Sequence, residues 1–459
     1  MKFLETSSLK LGTEPIGKLM FTMATPSVVA MLMQALYSTV DSMFVGRISA
    51  TSLAAITLAY PVTMFSGAMS TGIGVGINSS ISRNLGAGTP EKSVKAAVNG
   101  MAIGLVSVLI MILFGLFGVR PFLGLYTSDP ELIRDGIIYI RTISLLAFGQ
   151  IFTQISFSIL QGSGNMVIPL LSQIAGAISV LVLDPLLILV FHMGIQGAGL
   201  ASSLAQIISM CVGMYGVFVI NRNNLQVKLR EFRPDKAIMG DILSVGIPSM
   251  LTQATTSVVS GITNKIISVY GSTAISVYGG FSKISNFGIL PVFGVTRGMT
   301  PILGYSYGAK NRERFIQTRR IALVCAFVIS WATALFFVLL PNVSLDMIGA
   351  NEEMRAIGMS AYRILGTTLF VSGISIVLAQ SFPPAKRSYL TMIYTIARQV
   401  GILIPFCMLF SRTYGLQGVW IGYALTDYAA LGIVIVMTYS FRRRVLDKWT
   451  VPNNQKNPT

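Results

Sequence analysis

Seven charged side chains stand inside long apolar stretches of this chain: Asp41, Asp184, Lys265, Lys283, Arg297, Arg398 and Asp427. A charge at the centre of a bilayer costs about 2.5–3.5 kcal/mol on insertion scales, so each one kept there marks a candidate site. Asp41 and Asp184 form the most informative pair. Both come late in apolar runs that start at the same membrane face, so at about 1.5 Å of rise per residue their carboxyl groups reach similar depth. Burial disfavours the charged form of a carboxylate, and a neighbouring acid adds to the effect. Such a group takes a proton from one side and releases it when its surroundings change. Ionised, it holds a cation instead. A proton and a cationic solute can therefore occupy one site in turn, and exchange follows if the two bound forms prefer different conformations. The structural alternative is hydrogen bonding at helix ends.

The remaining charges lie in the second part of the chain. Lys283 and Asp427 fall in outer-half stretches and are expected to pair, or to act in gating or substrate choice. Arg297 and Arg398 lie deeper, where backbone carbonyls are available partners. Pro26, fifteen residues before Asp41, and Pro248 each remove a backbone hydrogen bond in mid-helix and kink it. Pro185 does the same beside Asp184, and the three prolines are candidate hinges. Met33, Gln34, Tyr37, Met64 and Asn165, with Lys283, Arg398 and Asp427, are the candidate cavity or gating residues. Gly72, Gly74 and Gly76 allow close helix packing and are not a phosphate loop, since no strand precedes them. His192 is the only histidine, which excludes a histidine-based metal or catalytic cluster.

These residues must be positioned by membrane helices. The chain has 459 residues, 53% hydrophobic and 11% charged, whereas soluble proteins average about 25% charged. Residues 102–119 carry no charge at all, and uncharged apolar runs of this length are transmembrane candidates. Only helices satisfy their own backbone there. Helices are expected at 19–45, 53–79, 94–119, 137–160, 166–190 and 197–220, then at 238–269, 274–304, 321–340, 359–380, 389–410 and 418–439. The first is expected to stay uncleaved. The net charge of +17 comes from Lys and Arg in alternate loops, from Lys2, Lys10 and Lys18 to Arg442, Arg443 and Arg444. That bias places both termini in the cytoplasm, and it leaves no separate basic patch for nucleic acid. Cys211, Cys325 and Cys407 lie in apolar blocks, so no disulfide framework is expected.

The two halves repeat. Pro26 matches Pro248, Leu85-Gly86-Ala87 matches Tyr307-Gly308-Ala309, and Gly194-Ile195-Gln196-Gly197-Ala198 matches Gly415-Leu416-Gln417-Gly418-Val419. Six helices separate each pair, so both copies share one orientation, a parallel repeat. The reading is an all-α integral membrane protein of twelve helices. A first bundle spans 1–220, a cytoplasmic linker 221–236, a second bundle 237–445 and a cytoplasmic tail 446–459. The carboxylates at 41 and 184 belong to the first half alone, because their repeat partners are Thr263 and Ile404.

The segments VDSMFVGRISATSLAAITLAYP, GVGINSSISRNLGAG, LQGSGNMVIPLL, LDPLLI, GIQGAGLASSLAQ and PILGYSYGAKN together resemble the multidrug and toxic compound extrusion (MATE) family over nearly the whole chain. The resemblance implies a V-shaped pair of six-helix bundles with alternating access. It implies export of bulky, cationic amphipathic compounds in exchange for protons or sodium, with no other cofactor, by a monomer in the cell membrane. Asp41 and Asp184 match the acids of the branch with a functional first-half cavity, and Ser202 matches its helix 6 hydroxyl. Where some members carry an Asn one turn before the helix 5 acid, this chain has Val180. Hard cations want several oxygen ligands, so protons are favoured over sodium. The rival within the superfamily is a flippase for lipid-linked saccharides. A membrane-embedded enzyme would need a His-rich, Ser/His or paired-metal constellation, which a chain with one histidine does not offer, and a channel would conduct without coupling.

Overall fold

A computed structural model describes residues 10–45, 50–228 and 232–449, without the side chains of 37–53 and 223. Twelve spans follow in chain order. They are α1 (Ile16–Val45), α2 (Ala50–Gly86), α3 (Pro90–Gly124), α4 (Pro130–Leu145 with Ala147–Gly162), α5 (Val167–Val190) and α6 (Gly194–Phe218). Then come α7 (Lys236–Ser268), α8 (Ser272–Gly308), α9 (Arg312–Leu339) and α10 (Glu352–Gln380). From Ser388 the chain stays helical to Arg444 but is broken at Gly415, whose φ is +59°. Residues 388–414 form α11 and 416–444 form α12.

Among the described residues, nine helices are long and apolar enough to cross a membrane, counting the stretch after Ser388 once. The halves of α4, bent by 41°, make a tenth. Dividing at Gly415 gives an eleventh. The twelfth, α2, has 37 residues, about 55 Å of helix, and its many Ser, Thr and Gly residues make it less apolar than the others.

Helix ends follow local chemistry. The carboxylate of Asp129 accepts from the backbone N–H groups of Glu131 and Leu132 at the start of α4. Asp235 does the same for α7, and Asn311 and Asn351 cap α9 and α10. Each such cap stabilises a helix start by about 1 kcal/mol. On α3, Leu105, Val106, Leu109, Ile110, Leu113 and Phe117 are exposed. Their spacing puts them on one helical face, and in a membrane that face meets lipid.

The repeat is visible in the backbone. Positive φ angles occur at Gly88 and Lys310, at Gly164 and Lys386, and at Gly194 and Gly415. The separations are 222, 222 and 221 residues, the offsets of the repeated motifs. The two bundles meet where α1 packs along α8, and where α2 packs along α7 and α8. Glycines permit that approach. Gly72 lies against the Gly246 carbonyl and Met250, Gly76 against Ile242, and Gly298 against Ala24. Gly74 faces the other way, onto Gln154 and Ser158 of α4, so α2 is held between its own bundle and the opposite one.

Candidate functional site

The seam between the bundles is tightest at the end that carries the basic loops. There Asp241 of α7 accepts from Ser80 (2.8 Å) and from Arg83 Nη2 (2.6 Å), both on α2. Its other oxygen lies 2.8 Å from Lys386 Nζ, in the turn between α10 and α11. Ser79 donates to the Pro383 carbonyl at 2.8 Å, and Arg83 Nη1 reaches both Ser79 and the Pro384 carbonyl. Nearby, Leu11 is fully buried and its carbonyl accepts from Arg314 at 2.8 Å. This network ties the halves together across one end of the molecule. Arg83 and Lys386 are two of the alternate-loop Lys and Arg residues that the sequence reading used only for orientation. Asp241, an acid three residues inside the expected seventh helix, was the available clue.

Above that seam lies a cavity of about 860 Å³, walled mainly by the first bundle and completed by α7, α8 and α10. Drug-sized ligands occupy pockets of about 300–1,000 Å³. Its wall is rich in amides: Gln34 of α1, Gln150, Gln154 and Gln161 of α4, Gln173 of α5, Gln206 of α6, Gln253 of α7 and Gln380 of α10. Glutamine both donates and accepts, so this wall suits varied polar groups. Gln150 is partly engaged, accepting from Ser66 at 2.9 Å. Of these residues only Gln34 was singled out from sequence. The spacing of 150, 154 and 161, which shares one helical face, was the missed signal.

Arg297 of α8 is the one charged side chain among the described lining residues. It also edges a narrow recess beside Pro26, Ser27, Gln34, Gln161 and Gln173. It makes no hydrogen bond or ion pair among the described residues, so it does not use the backbone carbonyls expected for it.

The other expected residues fall as follows. Asp184 is fully buried near the end of α5. Pro185 follows, and then a π-helical turn, Leu186–Val190. Such turns are frequent at functional sites. Asp41 lies four residues before the end of α1, and α1 packs against α5. The side chains of Asp41 and Tyr37 lie outside the described residues. Ser202, Met64, Gln34 and Val180 line the cavity. Met33 does not, and its neighbour Met31 does. Pro26 and Pro248 stand inside α1 and α7. Asn165 is buried away from the cavity, where its Oδ1 accepts from the Val167 and Ile168 N–H groups at the start of α5. That is a capping contact and not a cavity wall.

The expected pairing of Lys283 with Asp427 is wrong. Asp427 is bound by Arg398, with Nη2 at 2.6 Å and Nε at 2.7 Å from Oδ1, while Lys283 is exposed on α8 and off the cavity wall. Residue count along two helices did not reveal which side chains face each other. Arg398 sits in a π-helical segment, Ala397–Leu403, and it meets a carboxylate instead of backbone carbonyls. Arg398→Leu is expected to destabilise the fold by about 3–5 kcal/mol, because it strands a buried acid, whereas replacing both partners with leucine recovers most of the loss. Thermal unfolding in detergent reads the difference.

Comparison with known proteins gives a consistent relationship. The family profile described as MatE matches residues 26–186 and 248–409. The multidrug export protein MepA of Staphylococcus haemolyticus is 23% identical over 94% of this chain and 95% of its own length. An FAD transporter of Shewanella oneidensis is 20% identical over 91% of this chain and 93% of its own. Among solved structures, the outward-facing conformation of a multidrug resistance MATE family transporter of the MOP superfamily superposes with a TM-score of 0.91. It is 27% identical, and the match covers 97% of this chain and all of that one.

Proposed function

Because the chain belongs to the MatE family, and is thus a membrane transporter and not an enzyme, we propose that it exports amphipathic drug-sized compounds in exchange for protons by alternating access. The observation that carries this reading is the glutamine-walled cavity of about 860 Å³, shared by both bundles and closed at one end by the Arg83–Asp241–Lys386 network. The closed end is the cytoplasmic one, where the basic loops lie. The two bundles, 1–220 and 237–445, rock about the linker 221–236 in a monomer embedded in the cell membrane, and Pro26, Pro185 and Pro248 supply flexible points.

Asp41 and Asp184 are the coupling acids, and Ser202 on the cavity wall is the third residue of the coupling set. An organic cation competes with the proton for these carboxylates. The relatives' names support the cargo class, although a multidrug exporter and an FAD carrier show that cargo varies within this relationship. Val180 supplies no side-chain oxygen at the position considered for sodium, which favours protons.

The test is ethidium efflux from cells producing the protein, under an imposed proton or sodium gradient. Proton-driven efflux is the expected result, and efflux driven only by sodium overturns the ion choice. A flippase for lipid-linked saccharides is the second reading. Arg297 on the cavity wall favours it, since such cargo carries phosphate, and an absence of any gradient-driven dye movement would select it.

A further inference from the structure

We propose that Arg297 forms an anion subsite in the cavity, so that amphipathic solutes carrying a free carboxylate bind in preference to the same molecules with that carboxylate esterified. The proposal rests on the cavity being the cargo site. Its ground is the pairing and placement of the arginines in the helices. Arg319 of α9 and Arg363 of α10 also make no hydrogen bond or ion pair among the described residues but lie off the cavity wall, whereas four others are engaged. Arg83 holds Asp241, Arg398 holds Asp427, Arg141 donates to the Gly115 carbonyl and Arg314 to the Leu11 carbonyl. Arg297 lies 25 residues into the 37-residue α8 and has no such partner among the described residues.

Its side chain is half-buried and lines the main cavity and the recess beside Pro26. No carboxylate stands among the described lining residues. An unpartnered charge in a membrane helix is a standing cost, and an oxyanion in the cavity removes it. Guanidinium binds carboxylate through two parallel N–H donors, a geometry that lysine matches only as a point charge. The glutamines satisfy polar groups of either kind and do not select charge. Arg297 therefore sets the preference. A zwitterion fits as well, with its cationic part free to meet the glutamine carbonyls of the wall.

Rhodamine 110 carries a free carboxylate, and rhodamine 123 is its methyl ester, so the two dyes probe this one difference. Binding is read by fluorescence anisotropy on the purified full-length protein in detergent. Wild type is expected to bind rhodamine 110 roughly tenfold or more tighter than rhodamine 123, the scale of one charge-assisted contact. Arg297→Gln should erase the preference, and Arg297→Lys should keep part of it. Gln154→Leu should change both dyes alike. Equal binding of the two dyes by wild type overturns the proposal, as does a preference that survives Arg297→Gln or a failure of rhodamine 110 to bind. Gradient-driven ethidium efflux is measured separately. Efflux without a dye preference overturns the subsite alone, and a preference without efflux overturns the exporter reading alone.

Discussion

Asp184→Asn is expected to abolish gradient-driven export while leaving the protein folded and inserted. Asp184 is fully buried on α5, directly before Pro185 and a π-helical turn. Asparagine has nearly the same shape and still forms hydrogen bonds, but it cannot take up or release a proton. The structural reading of Asp184 therefore predicts a mild defect, and the coupling reading predicts efflux no faster than from cells lacking the protein. Asp41→Asn should act in the same way, because α1 packs against α5. Ethidium efflux, with surface expression and detergent size-exclusion profiles as controls, separates the two. Normal efflux by both variants would end the exchange mechanism proposed for these acids.

Asp241→Ala is expected to open the closed end. The substitution leaves Arg83, whose side chain is only 9% exposed, without its ionic partner, and it also removes the acceptor for Ser80 and Lys386. Truncating one member of a buried, hydrogen-bonded charge pair costs about 2–5 kcal/mol. These bonds join α2 to α7 across the seam, so the cost falls on the closed state. About 2.8 kcal/mol shifts the closed-to-open ratio roughly a hundredfold. In a variant lacking Cys211, Cys325 and Cys407, a cysteine replacing Thr300 on the cavity wall should react with an impermeant maleimide from the basic side. The rate should rise by tens to a hundredfold on Asp241→Ala, and less on Lys386→Gln, because Lys386 is 53% exposed. An unchanged rate in a folded variant would mean that the network does not hold this end shut.

The architecture was legible in the sequence because its signals are local. Apolar runs reported the spans, and motifs at offsets of 221 and 222 residues reappear as matched positive-φ positions. Gly72, Gly74 and Gly76 announced close packing, and each now faces a specific neighbour. What sequence could not supply was azimuth. Residue count gives depth in a helix, but which residue faces which depends on how helices are arranged around each other. Lys283 was the expected partner of Asp427, and Arg398 was assigned to backbone carbonyls, but packing gives Asp427 to Arg398. For the same reason Arg83 was taken only as a topology signal, and Asp241, 158 residues away, drew no reading at all. The glutamines were missed on different grounds. An uncharged amide does not interrupt an apolar block, so a wall of them leaves little trace in hydropathy.

The central claim is that cargo and proton exclude one another at Asp41 and Asp184. Proton release on cargo binding tests it most directly, with rhodamine 123 added to the purified protein in weakly buffered detergent solution containing a pH indicator. The account predicts that wild type releases protons in proportion to the dye bound, and that Asp184→Asn binds dye with reduced release or none. Saturable dye binding to wild type without proton release would contradict it.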